Sequence, residues 1–274
     1  MICGGNRLRY LSQIFVYPIK SARGIETGET RLDLAGLVQD RRWMLVDDEG
    51  LALTQRTQPR MVLIAPRFEG EDLIVEAPGM PPLRIRTWAG DGEWVPVRIW
   101  NDDLRVPHPD RRYSDWFSSF LGQSCRLVHL PEVVKRPVEA PYDKAPWHLS
   151  FADSFPLLVI GQASLNLLNE KLEAPVTMQR FRPNLVIAGS AAHEEDDWAR
   201  VRLDGVELAT GKACSRCSIP LVDPVTAETG VEPLRTLAQY RRLPNTVMFG
   251  HKMLVTTPGT LRTGEALEVL GCCR

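Results

Sequence analysis

The stretch Val201-Arg202-Leu203-Asp204-Gly205-Val206-Glu207-Leu208 reads as a β-hairpin. Apolar and charged residues alternate on both sides of an Asp-Gly dipeptide, which supplies the positive φ angles of a type I′ turn. The same strand-and-turn pattern extends outward in both directions. Towards the N-terminus, Asn184-Leu185-Val186-Ile187-Ala188 is a strand closed by Gly189. Towards the C-terminus, Met253-Leu254-Val255 and Ala266-Leu267-Glu268-Val269-Leu270 are closing strands joined by a turn at Pro258-Gly259.

From about Tyr10 to Leu130 the chain is a series of short strands. Ile14–Tyr17 ends at Pro18. Arg42–Val46 meets Leu51–Thr54 across the hairpin loop Asp47-Asp48-Glu49-Gly50. Met61–Ile64 stops before Pro66, Asp72–Val75 and Leu83–Arg86 flank a Pro/Gly-rich break, and Val95–Trp100 follows. Strands this closely spaced predict a barrel or sandwich. Trp116, Phe117 and Phe120 share one face of a helix over Tyr113–Leu121, stopped by Gly122. Ala163–Leu172 is a second helix, striped by Leu165, Leu168 and Leu172. Pro233–Arg241 is a third, with proline in its first turn. The fold class is therefore mainly β with a few helices (α+β). Pro131 to Trp147 holds four prolines and little periodicity, so residues 131–150 are expected to link a domain over 10–130 to one over 151–271.

Bulk properties exclude several roles. A net charge of -1 argues against nucleic acid as the main partner, because neutralising phosphates needs a basic surplus. No run of eighteen apolar residues exists to span a membrane. Met1 to Arg9 lacks the apolar core of a signal peptide. Six cysteines in 274 residues are too few for a disulfide scaffold, and the cytoplasm is the expected compartment.

Two of those cysteines sit in Gly211-Lys212-Ala213-Cys214-Ser215-Arg216-Cys217. A C-x-x-C pair beside Lys and Arg favours the thiolate form that binds metal or attacks. As half of a zinc site it lacks a well-spaced second pair, since Cys272 and Cys273 are adjacent. As a thioredoxin-like redox pair it should lead into a helix, whereas Ser218–Val222 reads as extended chain. It can also supply one thiolate to a transition metal brought in by a cofactor, or be two half-buried thiols without a role.

Several polar clusters interrupt the apolar strands: Pro18-Ile19-Lys20-Ser21, Asp40-Arg41-Arg42-Trp43, Phe151-Ala152-Asp153-Ser154-Phe155 and Arg180-Phe181-Arg182-Pro183-Asn184. Singly, charges at strand ends are ordinary solvated groups. Together they offer the Lys, Arg, Ser and Asn side chains that suit a phosphorylated heterocycle. Dinucleotide, P-loop, iron–sulfur, haem and G-x-S-x-G signatures are absent. The five histidines are scattered, and none forms an i, i+4 pair.

With these clusters in order, the sequence resembles the MOSC-domain proteins, and among them the amidoxime-reducing components and their bacterial relatives. The first half resembles the family's N-terminal β-barrel domain through Val16-Tyr17-Pro18-Ile19-Lys20-Ser21 and Asp40-Arg41-Arg42-Trp43. The second half resembles the MOSC β-barrel domain through Phe181-Arg182-Pro183-Asn184, Ala213-Cys214-Ser215-Arg216-Cys217, Asp223-Pro224, Pro258-Gly259-Thr260 and Gly264. The resemblance implies a molybdenum cofactor (Mo-molybdopterin), a pyranopterin phosphate whose metal is held by Cys217. It implies that Ser215 and Arg216 lie beside that cofactor and that Lys20, Ser21, Arg41, Arg182 and Asn184 hold the pterin and its phosphate. Asp153 and Ser154 match a further cofactor-contacting motif. Ser190 stands where some relatives have an additional Cys.

The resemblance also implies an activity: a cytoplasmic reductase of small N-hydroxylated substrates (amidoximes, hydroxylamines, N-hydroxy bases). The protein is expected to lack the iron–sulfur extension and the membrane anchor that some relatives carry. Electrons are therefore expected from a separate flavin, haem or iron–sulfur protein. The alternatives are a sulfur carrier with a persulfide on Cys217, separable by molybdenum analysis, and a cofactor-binding module without turnover.

Overall fold

The hairpin at Asp204-Gly205 is present at the centre of the second half. In the computed structural model, residues 8–86, 92–144 and 146–273 are described. Most of the Met1–Arg9 stretch, including Cys3, lies outside them. Trp198–Leu203 pairs antiparallel with Val206–Ser215, and Leu203 faces Val206 across the two-residue loop. Asp204 takes the positive φ, at 50°, and Gly205 is not in the left-handed region. The turn thus differs from the expected type I′, which needs both positions there.

The principal sheet has nine strands. Its spatial order is Ile25–Thr27, Tyr10–Val16, Leu185–Ala188, Leu157–Gly161, Thr246–Thr257, Val206–Ser215, Trp198–Leu203 and Leu267–Cys272, with Arg242–Leu243 beside Thr246–Thr257. The far edge bends back to the near one. Leu11 N–H donates to the Glu265 carbonyl at 2.9 Å, and Leu267 N–H donates to the Arg9 carbonyl at 2.8 Å. Leu11, Ile14, Leu157, Leu185, Trp198, Leu208 and Met253 fill the interior that this curvature encloses. Among the described strands of this sheet only Leu157–Gly161 and Leu185–Ala188 run parallel, and helix Gln162–Asn169 follows directly from the first of them.

The rest of the first half has smaller sheets around a second core, which includes Ile19, Trp43, Met61, Val75 and Phe117. Helix Arg111–Leu121 stops at left-handed Gly122, as its sequence predicts, but it starts two residues before the expected Tyr113, at an Asp110 cap that accepts from Arg112 N–H. The architecture is mainly β, with three α-helices among the described residues.

Several local expectations are corrected. Met61–Ile64 is not a strand: Pro59–Leu63 is a 3-10 turn started by proline, and the strand begins at Ala65. An apolar run this short does not distinguish the two by period. Trp43–Val46 forms its strand ladder with Arg126–His129; across its own loop the expected hairpin is reduced to a bridge from Val46 to Ala52 and two backbone hydrogen bonds, Leu53 N–H to the Leu45 carbonyl at 2.8 Å and Asp47 N–H to the Leu51 carbonyl at 2.9 Å. The third helix is confined to Leu234–Leu237. The expected strand at Met253–Val255 lies within Thr246–Thr257, which pairs with Leu157–Gly161 and Val206–Ser215. Past Pro258 a further strand, Gly259–Arg262, pairs with Glu29–Asp33, and the expected strand at Ala266–Leu270 is Leu267–Cys272, paired with Trp198–Leu203. Residues Ile219–Leu221, expected to be extended, form a 3-10 turn.

Candidate functional site

The polar clusters at the strand ends are stitched to one another by backbone hydrogen bonds. Pro18 ends the first strand. Beyond it Lys20 N–H donates to the Trp43 carbonyl at 2.8 Å, and Arg41 N–H donates to the Tyr17 carbonyl at 2.7 Å. Phe151 N–H reaches the Arg41 carbonyl at 2.9 Å, and Asn184 N–H reaches Leu158 at 2.8 Å. Four segments remote in sequence are thereby fixed around one cleft of about 280 Å³.

All ten residues named from the sequence line that cleft: Lys20, Ser21, Arg41, Asp153, Ser154, Arg182, Asn184, Ser215, Arg216 and Cys217. Ser21, Arg41 and Arg182 have φ of 65°, 50° and 56°, a left-handed backbone uncommon for residues other than glycine. Such strain gathers where surrounding structure holds it for function. The strand Val206–Ser215 has register shifts against its neighbour at Thr210/Lys212 and Ala213/Ser215. Irregularities of this kind re-aim side chains near sites, and Cys214 and Cys217 lie at and just past the irregular end.

One wall is built on Tyr17. Its ring is fully buried, its hydroxyl donates to the Pro183 carbonyl at 2.9 Å, and the Arg41 and Arg182 guanidinium carbons lie 4.5 and 4.3 Å from the ring centroid. Burial pushes the phenol above its ordinary range, so it packs as a neutral ring. Arg41 pairs with buried Asp40 and donates to Asn184 Oδ1 at 3.1 Å. Asn184 Nδ2 in turn donates to the Phe15 carbonyl and to Asp40, each at 3.2 Å. Arg182 donates to the Ala22 carbonyl at 2.5 Å. Burial lowers its pKa to about 10, so it remains a cation near neutrality.

The opposite wall centres on Asp153. Lys20 Nζ donates to its Oδ1 at 2.5 Å and Arg56 Nη2 to its Oδ2 at 3.0 Å. Burial opposes ionisation of this carboxyl, but Lys20 and Arg56 outweigh it and hold the group well below the usual carboxylate range. Burial brings Lys20 down to about 8, although Asp153 pulls the other way. Lys252 Nζ donates to Ser154 Oγ at 2.6 Å.

The two thiols of the C-x-x-C face different cations. Arg56 Nη2 lies 3.2 Å from Cys217 Sγ, whereas Arg216 Nη1 lies 3.3 Å from Cys214 Sγ. Both are free thiols, Cys214 buried and Cys217 half-buried. Among the described residues no cluster of His, Cys, Asp and Glu offers a complete metal shell, so any metal here would bring further ligands with it. The residues fit an anionic cofactor. Lys20, Arg41, Arg56, Arg182, Arg216 and Lys252 surround the cleft. Buried Arg56 Nη1 and Arg216 Nε have no hydrogen-bond partner, and a buried donor left unpaired is costly.

Family models match the chain twice: the MOSC N-terminal beta barrel domain over residues 8–124 and the MOSC domain over residues 147–268. Mitochondrial amidoxime-reducing component 1 of Mus musculus is 34% identical over 95% of this chain and 82% of its own length. The chain belongs to the MOSC family, with the amidoxime-reducing components as relatives. Mitochondrial amidoxime-reducing component 1 of Homo sapiens is 32% identical over 95% of this chain and 83% of its own. The solved YUAD protein from Bacillus subtilis aligns over 96% of each chain at 10% identity, with a TM-score of 0.44.

Three neighbours of the MOSC motif residues are not marked by the sequence pattern that marks the others. Arg56 lies in a turn between strands, Trp100 at a hairpin tip, and Lys252 inside an apolar strand. The last had a detectable signal, since a lysine stands directly before the apolar run Met253–Val255. Arg56 and Trp100 had none, because their partner Asp153 is 97 and 53 residues away. No helix among the described residues is long and apolar enough to cross a membrane.

Proposed function

We propose that this chain is a molybdenum-cofactor-dependent reductase of small N-hydroxylated compounds, supplied with electrons by a separate protein. The observation that carries the reading is Cys217, a free thiol opening on a cleft lined with cations drawn from both halves of the sequence. The relatives' name, amidoxime-reducing component, supports the substrate class and gives sulfur transfer no support. Domains over 10–130 and 151–271, joined by 131–150, remain our proposed division.

In this reading Cys217 is the protein's ligand to the metal, and Ser215 and Arg216 lie beside it. Lys20, Ser21, Arg41, Arg182 and Asn184 hold the pterin and its phosphate, with Asp153 and Ser154 completing the shell. A charged, polarisable thiolate suits such a metal, and Arg56 and Arg216 offset the negative charge concentrated there. The cofactor, once bound, supplies two-electron cleavage of an N–O bond, while the protein orients and tunes it. The overall change is R–NHOH + 2e⁻ + 2H⁺ → R–NH₂ + H₂O. Asp153 stays ionised beside Lys20 and Arg56, so it acts as an acceptor for substrate N–H groups and not as the acid.

Protein produced with cofactor synthesis intact is expected to contain nearly stoichiometric molybdenum and to reduce benzamidoxime with an artificial donor. Cys217→Ala should abolish turnover, whereas Cys214→Ala should keep its molybdenum. A metal-free wild type carrying sulfane sulfur would overturn the reading in favour of the sulfur carrier.

A further inference from the structure

We infer that Trp100 is a specificity-determining residue: its indole, in contact with the cleft residues Asp153 and Arg56, is a stacking platform beside the cleft, selecting flat cyclic N-hydroxylated substrates, such as N-hydroxylated purines, over small acyclic ones. The inference rests on the reductase reading and names the residue that chooses among the substrates of that same site.

Trp100 and Asn101 form the two-residue tip between strands Glu93–Ile99 and Asp102–His108, where Ile99 faces Asp102. Tips of this kind favour Asn, Asp or Gly, because the first position needs a positive φ. Trp100 occupies it at φ 56°, an outlier for a bulky side chain. Its ring is not there to fill a core, being 50% exposed. A large apolar residue that is both strained and half in water is unusual at a hairpin tip.

Its surroundings connect it to the chemistry. Trp100 Nε1 donates to Asp153 Oδ1 at 3.3 Å. The Arg56 guanidinium carbon lies 4.7 Å from the ring centroid, and Arg56 also donates to Cys217 Sγ at 3.2 Å. One cation therefore touches both the indole and the thiol.

The platform is also held rigid. Arg136, 1% exposed, donates to Asp102 Oδ2 at 2.8 and 3.0 Å on the hairpin. The same guanidinium donates to the Ser150 and Ala152 carbonyls at 2.6 and 2.8 Å. A single buried side chain thus clamps the tip that carries Trp100 to the loop that presents Asp153. A fixed aromatic face beside a fixed carboxylate suits a planar ring with exocyclic N–H groups, stacked by the first and accepted by the second. Stacking of a base on an aromatic side chain is sequence-tolerant, because every such ring has a π-face.

The test compares wild type, Trp100→Ala and Trp100→Phe as molybdenum-loaded enzymes, with N6-hydroxyadenine and hydroxylamine as substrates. In Trp100→Ala the ratio of kcat/KM for the purine to that for hydroxylamine should fall about tenfold, the scale of one stacking contact. Trp100→Phe should restore most of that ratio, since it keeps a ring and loses the indole N–H. An unchanged ratio in Trp100→Ala, or equal loss in both variants, overturns the platform. A second arm omits the electron donor and measures binding of N6-hydroxyadenine by calorimetry, with Kd expected to rise about tenfold in Trp100→Ala. Failure of the wild type to turn over either substrate would overturn the reductase reading, and the binding arm would then judge the platform alone.

Discussion

Lys20 is 5% exposed at the end of the first strand, with Asp153 as its counter-ion. Burial lowers its pKa from an ordinary 10.5 to about 8, against the pull of Asp153. Between those two values the unfolded chain binds the proton that the folded chain has released, so this group's effect on stability becomes more favourable as pH rises. Urea unfolding at pH 8 and pH 10.5 should show wild type gaining on Lys20→Met over that window; a constant difference would mean that Lys20 titrates as an exposed lysine. Asp153 has the opposite task, neutralising two cations from a side chain that is 42% exposed. Asp153→Asn is expected to lower stability by about 1–2 kcal/mol, less than for a fully buried pair because solvent screens it. The residues of the shared motifs were legible because their clusters break strand patterning. Arg56 and Trp100 were not, since a turn arginine and a hairpin tryptophan look ordinary until Asp153 is brought beside them.

At the scale of elements, the strand Val206–Ser215 does two things. Its first part forms the hairpin that the Asp204-Gly205 signal announces, and its second part carries the cysteine motif into the cleft. Between them lies Gly211, where a Cβ would sit 2.2 Å from Phe155 Cε1 and 3.0 Å from the Lys252 carbonyl oxygen. Phe155 is a buried wall of the cleft, so Gly211→Ala must displace it. Overpacking of this kind typically costs about 1–3 kcal/mol, and urea unfolding should show a loss in that range. A second element was legible only as an interruption. The proline-rich stretch from Pro131 has little periodicity, yet it contributes Arg136, whose guanidinium satisfies the Ser150 and Ala152 carbonyls. Sequence patterning could not reveal this, because those partners are 14 and 16 positions away and lie in loops. Arg136→Met should leave both carbonyls unpaired in a buried place, at about 1–3 kcal/mol. Hydrogen exchange over residues 148–155 should speed up in that variant, and unchanged protection there would remove the clamp.

At the scale of the molecule, the division of the sequence at the proline-rich stretch and the division of the hydrogen bonds do not coincide. Composition separates the chain near residue 131. The principal sheet nevertheless takes Tyr10–Val16 from the first half and sets it against Leu185–Ala188 of the second, and Glu29–Asp33 pairs with Gly259–Arg262. Strand pattern shows which face of a strand is apolar but not which distant strand it joins, so this exchange was invisible beforehand. It has a consequence for any shortened chain. Leu11, Ile14, Phe15 and Val16 are all nearly fully buried, and removing them would uncover an apolar sheet face together with an unpaired strand edge, the arrangement that promotes association. It would also remove Lys20, Ser21, Arg41 and Arg56 from the cleft. A fragment of residues 131–274 is therefore expected to aggregate and to lack a cooperative thermal transition, although it contains the whole cysteine motif. Size-exclusion chromatography and calorimetry of fragment and full chain check this. A fragment that ran as a single compact species with the full chain's melting temperature would mean that the first strands only decorate the sheet, and the cation-lined cleft would then have to be sought within the second half alone.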